Sequence, residues 1–147
     1  MTYRDILIIK NSWSHILRHP ENAGALFYSK LFALDPGLRP LFKNDQEKQE
    51  KKIMDMLTFL VAHLQNVPSI QHEIDALARR HAHYGTLPGQ YQTVGTALLW
   101  MLEHSPGELW NDETKEAWSS LYAVWSRSMM KVSNGVADEQ STKANKD

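Results

Sequence analysis

Hydrophobic residues recur every three or four positions along most of the chain, which is the spacing of an amphipathic helix. The apolar stripes occupy residues 6–17, 23–34, 53–64, 70–81, 91–102 and 117–132. Prolines lie between most of these stripes, and no stretch alternates apolar and polar residues between hairpin turns. The sequence therefore predicts an all-α fold with about six main helices, short connections and no sheet.

The end of the chain has a different composition. Residues 134–147 contain almost no apolar side chains and are rich in Asp, Asn, Lys, Ser, Thr and Gln. A segment of this kind buries too little apolar surface to join a core. We therefore predict a folded domain over residues 1–133, followed by a flexible polar tail over residues 134–147.

The overall composition is typical of a soluble globular protein. The chain has 147 residues, of which 42% are hydrophobic and 22% are charged, and its net charge is −1. This balance argues against electrostatic binding to nucleic acid or to an anionic membrane. The apolar run at residues 6–9 is too short for a signal peptide or a membrane span, so we expect a cytoplasmic protein.

The absence of cysteine narrows the possible chemistry. Without thiols the chain has no disulfide, no zinc–thiolate or iron–sulfur site and no thiol nucleophile. The seven histidines are then the best metal ligands, and the six methionines are weaker ones. No histidine follows an acidic residue by three positions, which argues against a di-iron bundle. H-E-x-x-H, glycine-rich phosphate loops and G-x-S-x-G are also missing.

His81 is the most distinctive histidine. It follows Ile74 and Leu77 on the apolar face of one predicted helix, whereas His83 points to the other side. Two interpretations are open: a core histidine hydrogen-bonded to a carbonyl, which is the commoner case, or the axial ligand of a cofactor held between helices. His63, at the edge of its stripe, is the second candidate ligand, and we expect the other histidines to be solvated.

Three further residues are ambiguous when each is taken alone. Tyr28 lies on an apolar helix and is most simply a core tyrosine, which still needs a hydrogen-bond partner. Gln49 lies in the charge-rich segment 43–52, one turn before Ile53, and is most simply a solvated glutamine. Phe42, between two predicted helices, is most simply a core residue. The order in which these residues occur along the chain changes this interpretation.

Several segments follow one another in the order and spacing of bacterial single-domain globins and of the globin half of flavohaemoglobins. They are 26–42 (LFYSKLFALDPGLRPLF), 49–54 (QEKKIM), 79–85 (RRHAHYG), 91–95 (YQTVG) and Ala117-Trp118. The chain resembles these globins over about residues 3–133. The resemblance implies the globin fold, with three helices packed on three, and one b-type haem (iron protoporphyrin IX).

The resemblance also implies roles for individual residues. His81 would be the proximal iron ligand, and Tyr28 and Gln49 would be the distal hydrogen-bonding pair. The other implied residues of the haem pocket are Phe42, Ile53, Leu57, Leu77, Tyr91, Val94 and Trp125. A flat apolar macrocycle needs apolar faces, a basic nitrogen on one side and a polar group on the other. Because Gln49 is a weak iron ligand, we expect five-coordinate ferrous iron that is open to a gas.

The functions implied are reversible binding of O₂, CO and NO, for oxygen delivery or for dioxygenation of NO. Because the sequence shows no flavin or nicotinamide domain, we expect any redox turnover to need a separate reductase. Flavohaemoglobins usually place a glutamate at the position of Ser133, and without it we expect a weaker iron–histidine bond. A haem-based gas sensor and a haem-free globin that acts as a binding module are alternatives, and we expect a monomer or a homodimer.

Overall fold

The computed structural model describes residues 2–42, 45–66, 71–83, 88–105 and 110–145, with side chains at all of these positions except 41, 71, 81–83, 88 and 132–145. Six α-helices and one short 3₁₀ helix occupy the described residues. They are α1 (Tyr3–Ile16), α2 (Pro20–Leu34), the 3₁₀ helix (Pro36–Leu41), α3 (Gln46–Ala62), α4 (Gln71–His83), α5 (Pro88–His104) and α6 (Asp112–Asn145). The described residues form no strand, so the prediction of an all-α fold is confirmed.

Local sequence signals mark where the first helices begin. The Thr2 side chain accepts a hydrogen bond from the Asp5 N–H, and the Asp5 carboxylate accepts one from the Thr2 N–H. Pro20 opens α2, where its fixed backbone angle suits the first helical position. Asp45 caps α3 by accepting a hydrogen bond from the Glu47 N–H at 2.9 Å. These signals start the helices at breaks that the sequence pattern already contains.

The helices pack around one common core. α2 packs against α3 and α5, α4 packs against α6, and α1 packs against α6 and α3. The largest side chains with almost no exposure come from four of these helices and are Ile9, Leu31, Met101, Trp118 and Leu121. Burying an aliphatic side chain of this size contributes roughly 1.5–3 kcal/mol. The core therefore joins the first helix to the last one.

Two tryptophans connect α1 to its neighbours. Trp118 of α6 donates a hydrogen bond from Nε1 to the Ser12 Oγ at 2.9 Å. Trp13 of α1 donates one from Nε1 to the Thr58 Oγ1 of α3 at 3.1 Å. The centroids of the two indole rings are 5.9 Å apart. Both indole N–H groups thus have the partners that burial requires.

Gly24 allows α2 and α3 to cross at close distance. A Cβ at this position would lie 2.9 Å from the Cβ of Glu50 and 3.3 Å from its carbonyl oxygen. A larger residue would force the two helices apart, whereas glycine does not. The crossing brings the next turn of α2, which contains Tyr28, against the start of α3.

α6 extends beyond the predicted domain boundary. Its 34 residues correspond to a length of about 51 Å. The backbone of residues 134–145 is therefore helical, and the flexibility of this polar segment stays a prediction. Of the helices in the described part of the chain, none combines the length and the apolar composition that a membrane span needs.

Candidate functional site

A cavity of about 160 Å³ lies among the helices. The α2/α3 wall of this cavity is formed by Phe27, Tyr28, Leu31, Ile53, Met56, Leu57 and Leu60. The α5/α6 wall is formed by Gln90, Tyr91, Val94, Leu98, Tyr122, Trp125 and Met129. Phe42 and Leu77 complete the described lining.

The lining is almost entirely apolar. Its polar members are Gln90 and the three tyrosines Tyr28, Tyr91 and Tyr122, and none of the described lining residues is charged. Apolar walls of this kind favour a large apolar ligand, because binding removes apolar surface of both the ligand and the walls from water. Haem has two large apolar faces, so the apolar chemistry of the described walls suits it.

α4 contributes the predicted iron ligand. Leu77 lines the cavity, and His81 follows it by four residues, which places His81 on the same face of α4. The side chains of His81 and Ser133 lie outside those described. The role of His81 as iron ligand and the effect of Ser133 on it stay predictions.

The structure brings most of the predicted pocket residues to this one cavity. Those that line it are Tyr28, Phe42, Ile53, Leu57, Leu77, Tyr91, Val94 and Trp125. Gln49 is half-buried at the start of α3 and is not among the lining residues. His63 lies just after α3, with its Nδ1 2.8 Å from the carbonyl oxygen of Phe59, and it does not line the cavity. The contacts that these residues make with a cofactor stay predictions.

Tyr28 is the polar residue of the α2/α3 wall. It is 5% exposed, and its hydroxyl donates a hydrogen bond to the backbone carbonyl oxygen of Gln49 at 3.3 Å. The rings of Phe27 and Phe42 pack edge-on against it, with centroid distances of 5.1 Å and 5.4 Å. Burial, together with the nearby negative charge of Glu50, raises the pKa of Tyr28 to about 12. The phenol therefore stays protonated at neutral pH and remains a hydrogen-bond donor.

The hydrogen bond of Tyr28 is long, and its acceptor is a backbone atom. Hydroxyl-to-oxygen bonds usually measure about 2.5–3.0 Å between the heavy atoms, so a distance of 3.3 Å indicates a weak bond. The resemblance to bacterial globins implied a pair of side chains, Tyr28 and Gln49. In the structure the backbone carbonyl group of Gln49 accepts the hydrogen bond from the Tyr28 hydroxyl.

Tyr122 is a cavity residue that the sequence pattern placed only in an apolar stripe. Its hydroxyl donates a hydrogen bond to the backbone carbonyl oxygen of Tyr91. Its ring lies against Gly95, where a Cβ would be 2.8 Å from the Cδ1 of Tyr122. The signal that could have identified it is a tyrosine within an apolar stripe, because a buried phenol needs a hydrogen-bond partner.

The Tyr122 hydroxyl lies among polar groups of α5. Burial raises the pKa of Tyr122, the nearby Tyr91 phenol adds to the rise, and a hydrogen bond with the Gly95 backbone opposes it. The hydroxyl donates its hydrogen bond to the carbonyl of Tyr91, which lies one helical turn before Gly95 in α5. Tyr122 stays protonated at neutral pH and acts as the donor to Tyr91.

Two methionines of the lining were also missed by sequence reasoning. Met56 follows Ile53 by three residues, and Met129 follows Trp125 by four, so both share a helix face with a predicted pocket residue. This spacing is the signal that could have found them. Flexible thioether side chains fill irregular space well, which suits a cavity that must adapt to a bound group.

Comparisons with known proteins agree with this architecture. The family model described as Globin matches residues 25–129. Neuroglobin from Tetraodon nigroviridis is 29% identical over 143 residues, which cover 88% of this chain and 90% of that protein. Neuroglobin from Chaenocephalus aceratus is 28% identical over 138 residues, which cover 84% of this chain and 87% of that protein.

Two solved structures share the fold. A bacterial globin from Campylobacter jejuni is similar with a TM-score of 0.80 and 22% identity, over 93% of this chain and 99% of that one. A hexacoordinated haem protein from an anhydrobiotic tardigrade is similar with a TM-score of 0.81 and 17% identity, over 91% of this chain and 96% of that one. The fold that the sequence resemblance predicted is therefore confirmed.

Proposed function

The chain belongs to the globin family of haem-binding proteins, and from this premise we propose that it binds O₂ and other diatomic gases reversibly at one haem b. The observation that carries the proposal is an apolar cavity with a protonated tyrosine, Tyr28, in one wall and the helix of His81 at its edge. When bound, haem supplies an iron atom to which a diatomic gas can coordinate. The residues of the chain decide how firmly the haem is held and which gas is stabilised.

His81 is the residue we propose as the iron ligand. It shares a face of α4 with Leu77, which lines the cavity, and histidine is the proximal ligand of globins. Tyr28 and Gln49, the residues proposed for the other side of the haem, do not compete strongly for ferrous iron. The iron would then remain free to bind a gas.

Tyr28 is the residue we propose as the hydrogen-bond donor to the gas. Its hydroxyl is protonated, buried and only weakly bound to the Gln49 carbonyl, so a better acceptor in the cavity would displace that contact. A gas that gains partial negative charge when it binds, as O₂ does, would accept a charge-assisted hydrogen bond worth about 1.5–3 kcal/mol where water is excluded. CO is nearly apolar and gains much less. The α2/α3 wall would thus favour O₂ over CO.

The absorption spectrum of the purified full-length chain tests the proposal. We expect the parent protein to show an intense Soret band and a reversible change on exposure to O₂ or CO. His81→Ala should lose stable haem binding or change the ferrous and CO-bound spectra, because the proposed iron ligand is gone. His63→Ala is the matched control, since His63 does not line the cavity, and it should keep the parent spectrum.

Two results would contradict this account. A parent protein that shows no Soret band after haemin is added does not bind haem, and the proposal fails as a whole. His81→Ala with unchanged ferrous and CO-bound spectra would assign the iron to another residue while leaving haem binding intact.

A further inference from the structure

α6 is joined to two neighbouring helices by hydrogen bonds that lie one helical turn apart. Trp118 donates to the Ser12 Oγ of α1, and Tyr122, four residues later, donates to the Tyr91 carbonyl of α5. The two bonds differ in their surroundings. Tyr122 and Tyr91 both line the cavity, whereas Ser12 and Trp118 are not among its lining residues.

The Tyr122 hydroxyl reaches the part of α5 that contributes most to the cavity. Gln90, Tyr91 and Val94 all line the cavity and lie within five residues of one another at the start of α5. The hydroxyl contacts the Tyr91 carbonyl in the middle of this group, and the ring above it rests on Gly95. Any displacement of this turn of α5 relative to α6 must break the hydrogen bond or separate the ring from the glycine.

We propose that Tyr122 is a positioning residue, which holds the start of α5 against α6 and thereby determines how long the protein retains its haem. The inference rests on the proposed function, because it concerns the haem that the cavity holds. A haem is kept in place largely by close contact with apolar walls, and a gap of less than 1 Å already forfeits a quarter to a half of the dispersion energy at a contact. A wall that is free to shift therefore releases the haem faster than one that is held.

The decisive experiment compares Tyr122→Phe with Ser12→Ala. Each variant removes one hydroxyl that takes part in a hydrogen bond of α6, but only Tyr122 lies at the cavity. The rate of haem loss is measured as transfer of haemin from the loaded protein to an excess of haem-free myoglobin. We expect Tyr122→Phe to lose haemin about tenfold faster than the parent, the factor expected for one buried hydrogen bond, and Ser12→Ala to stay within about twofold.

A stability measurement separates positioning from a general loss of structure. Urea unfolding of the haem-free full-length proteins, followed by circular dichroism, should show a loss of stability in both variants. The loss should be at least as large in Ser12→Ala, because the Ser12 hydroxyl accepts a hydrogen bond from Trp118 and donates one to the Ile9 carbonyl, whereas Tyr122→Phe loses the one to Tyr91. If only Tyr122→Phe then loses haem faster, the cause is the displaced start of α5 in the cavity wall and not a lower overall stability.

Gly95→Ala perturbs the same hydrogen bond by a substitution on α5 instead of α6. The added methyl group would push the Tyr122 ring away while keeping its hydroxyl. We expect faster haem loss here too. The double variant with Tyr122→Phe should accelerate haem loss by less than the product of the two single accelerations, because both substitutions break the same interaction. If Tyr122→Phe does not fold, Gly95→Ala and the parent provide the comparison.

The outcomes distinguish this inference from the proposed function. The positioning role would be overturned if Tyr122→Phe lost haemin within about twofold of the parent rate, or if Ser12→Ala lost it as fast as Tyr122→Phe. It would also be overturned if the effects of Gly95→Ala and Tyr122→Phe on this rate multiplied fully in the double variant. A parent protein that takes up no haemin would overturn the proposed function instead.

Discussion

The two walls of the cavity contain the same parts in different arrangements. Each has a tyrosine whose hydroxyl donates to a backbone carbonyl of the neighbouring helix, and each has a glycine where two helices approach closely. In the α2/α3 wall, Gly24 faces the Cβ and backbone of Glu50, one turn away from Tyr28. In the α5/α6 wall, Gly95 lies directly against the ring of Tyr122.

This difference separates two uses of a buried phenol. The close approach at Gly24 is made by the backbone, so the Tyr28 ring is not itself clamped by the glycine, and its hydroxyl makes only a long hydrogen bond. Tyr122 is held at both ends, because its ring rests on Gly95 and its hydroxyl binds the backbone of α5. The first arrangement suits a donor that turns to a ligand, and the second suits a fixed connection between helices.

Tyr28→Phe removes the donor of the α2/α3 wall and keeps its ring. We expect O₂ to dissociate about 10- to 100-fold faster, which corresponds to about 1.5–3 kcal/mol, while CO dissociation changes little. Stopped-flow and flash-photolysis kinetics measure both rates. Tyr3→Phe is the matched control, since Tyr3 is exposed and is not among the lining residues of the cavity. Equal acceleration of O₂ and CO release by Tyr28→Phe would mean that the side chain acts through its shape.

The raised pKa of Tyr28 predicts a loss of stability in alkali. A tyrosine whose pKa is higher in the folded than in the unfolded state binds its proton more tightly when folded. Its stabilising effect is therefore complete below a pH of about 10 and is lost as the pH rises towards about 12. Tyr28→Phe lacks this group, so its free energy of unfolding should fall less than that of the parent over this pH range. The difference between the two falls should be on the order of 2 kcal/mol.

Urea unfolding of parent and variant at several alkaline pH values measures this difference. The exposed Tyr3 offers a control, since Tyr3→Phe should give a pH dependence parallel to that of the parent. Parallel curves for Tyr28→Phe as well would contradict the assignment of Tyr28 as a buried, protonated phenol in the folded protein.

Gly24→Ala tests the crossing of α2 and α3. The new methyl group would lie 2.9 Å from the Glu50 Cβ and 3.3 Å from its carbonyl oxygen, so the helices must separate. Overpacking costs about 1–3 kcal/mol, and the better helix propensity of alanine returns about 0.5–1 kcal/mol. We expect a net loss of about 1–2 kcal/mol in urea unfolding. Gly95→Ala should also be destabilising, because the new methyl group would displace the buried ring of Tyr122.

Gln49→Leu should have the smallest effect. The hydroxyl of Tyr28 donates to the Gln49 carbonyl, which leucine also possesses, so the tyrosine keeps its position. We expect O₂ dissociation to change by less than about threefold, and the effects of Gln49→Leu and Tyr28→Phe to be additive in free energy. A double variant with a clearly smaller effect than the sum would show that the glutamine amide positions the tyrosine.

Some of the cavity residues were predicted from the sequence, and others were not. Ile53, Leu57, Leu77 and Val94 were assigned to the pocket through the globin resemblance and lie on stripes of helical period, and all four line the cavity. Tyr122 also lay on a stripe, but its role was missed. Its acceptor is a backbone carbonyl 31 residues away. Every residue of the chain has such a carbonyl, so no residue type marks the partner.

The sequence by itself determined the helical period of each segment, the prolines and caps that end the helices, the lack of thiol chemistry and the order of residues that resembles a globin. Those properties depend on near neighbours in the chain. The tertiary structure alone decided that Tyr28 is weakly held and Tyr122 firmly held, and that Gly24 meets a helix while Gly95 meets a ring. These distinctions depend on distances between segments far apart in sequence, which are set only when the helices pack.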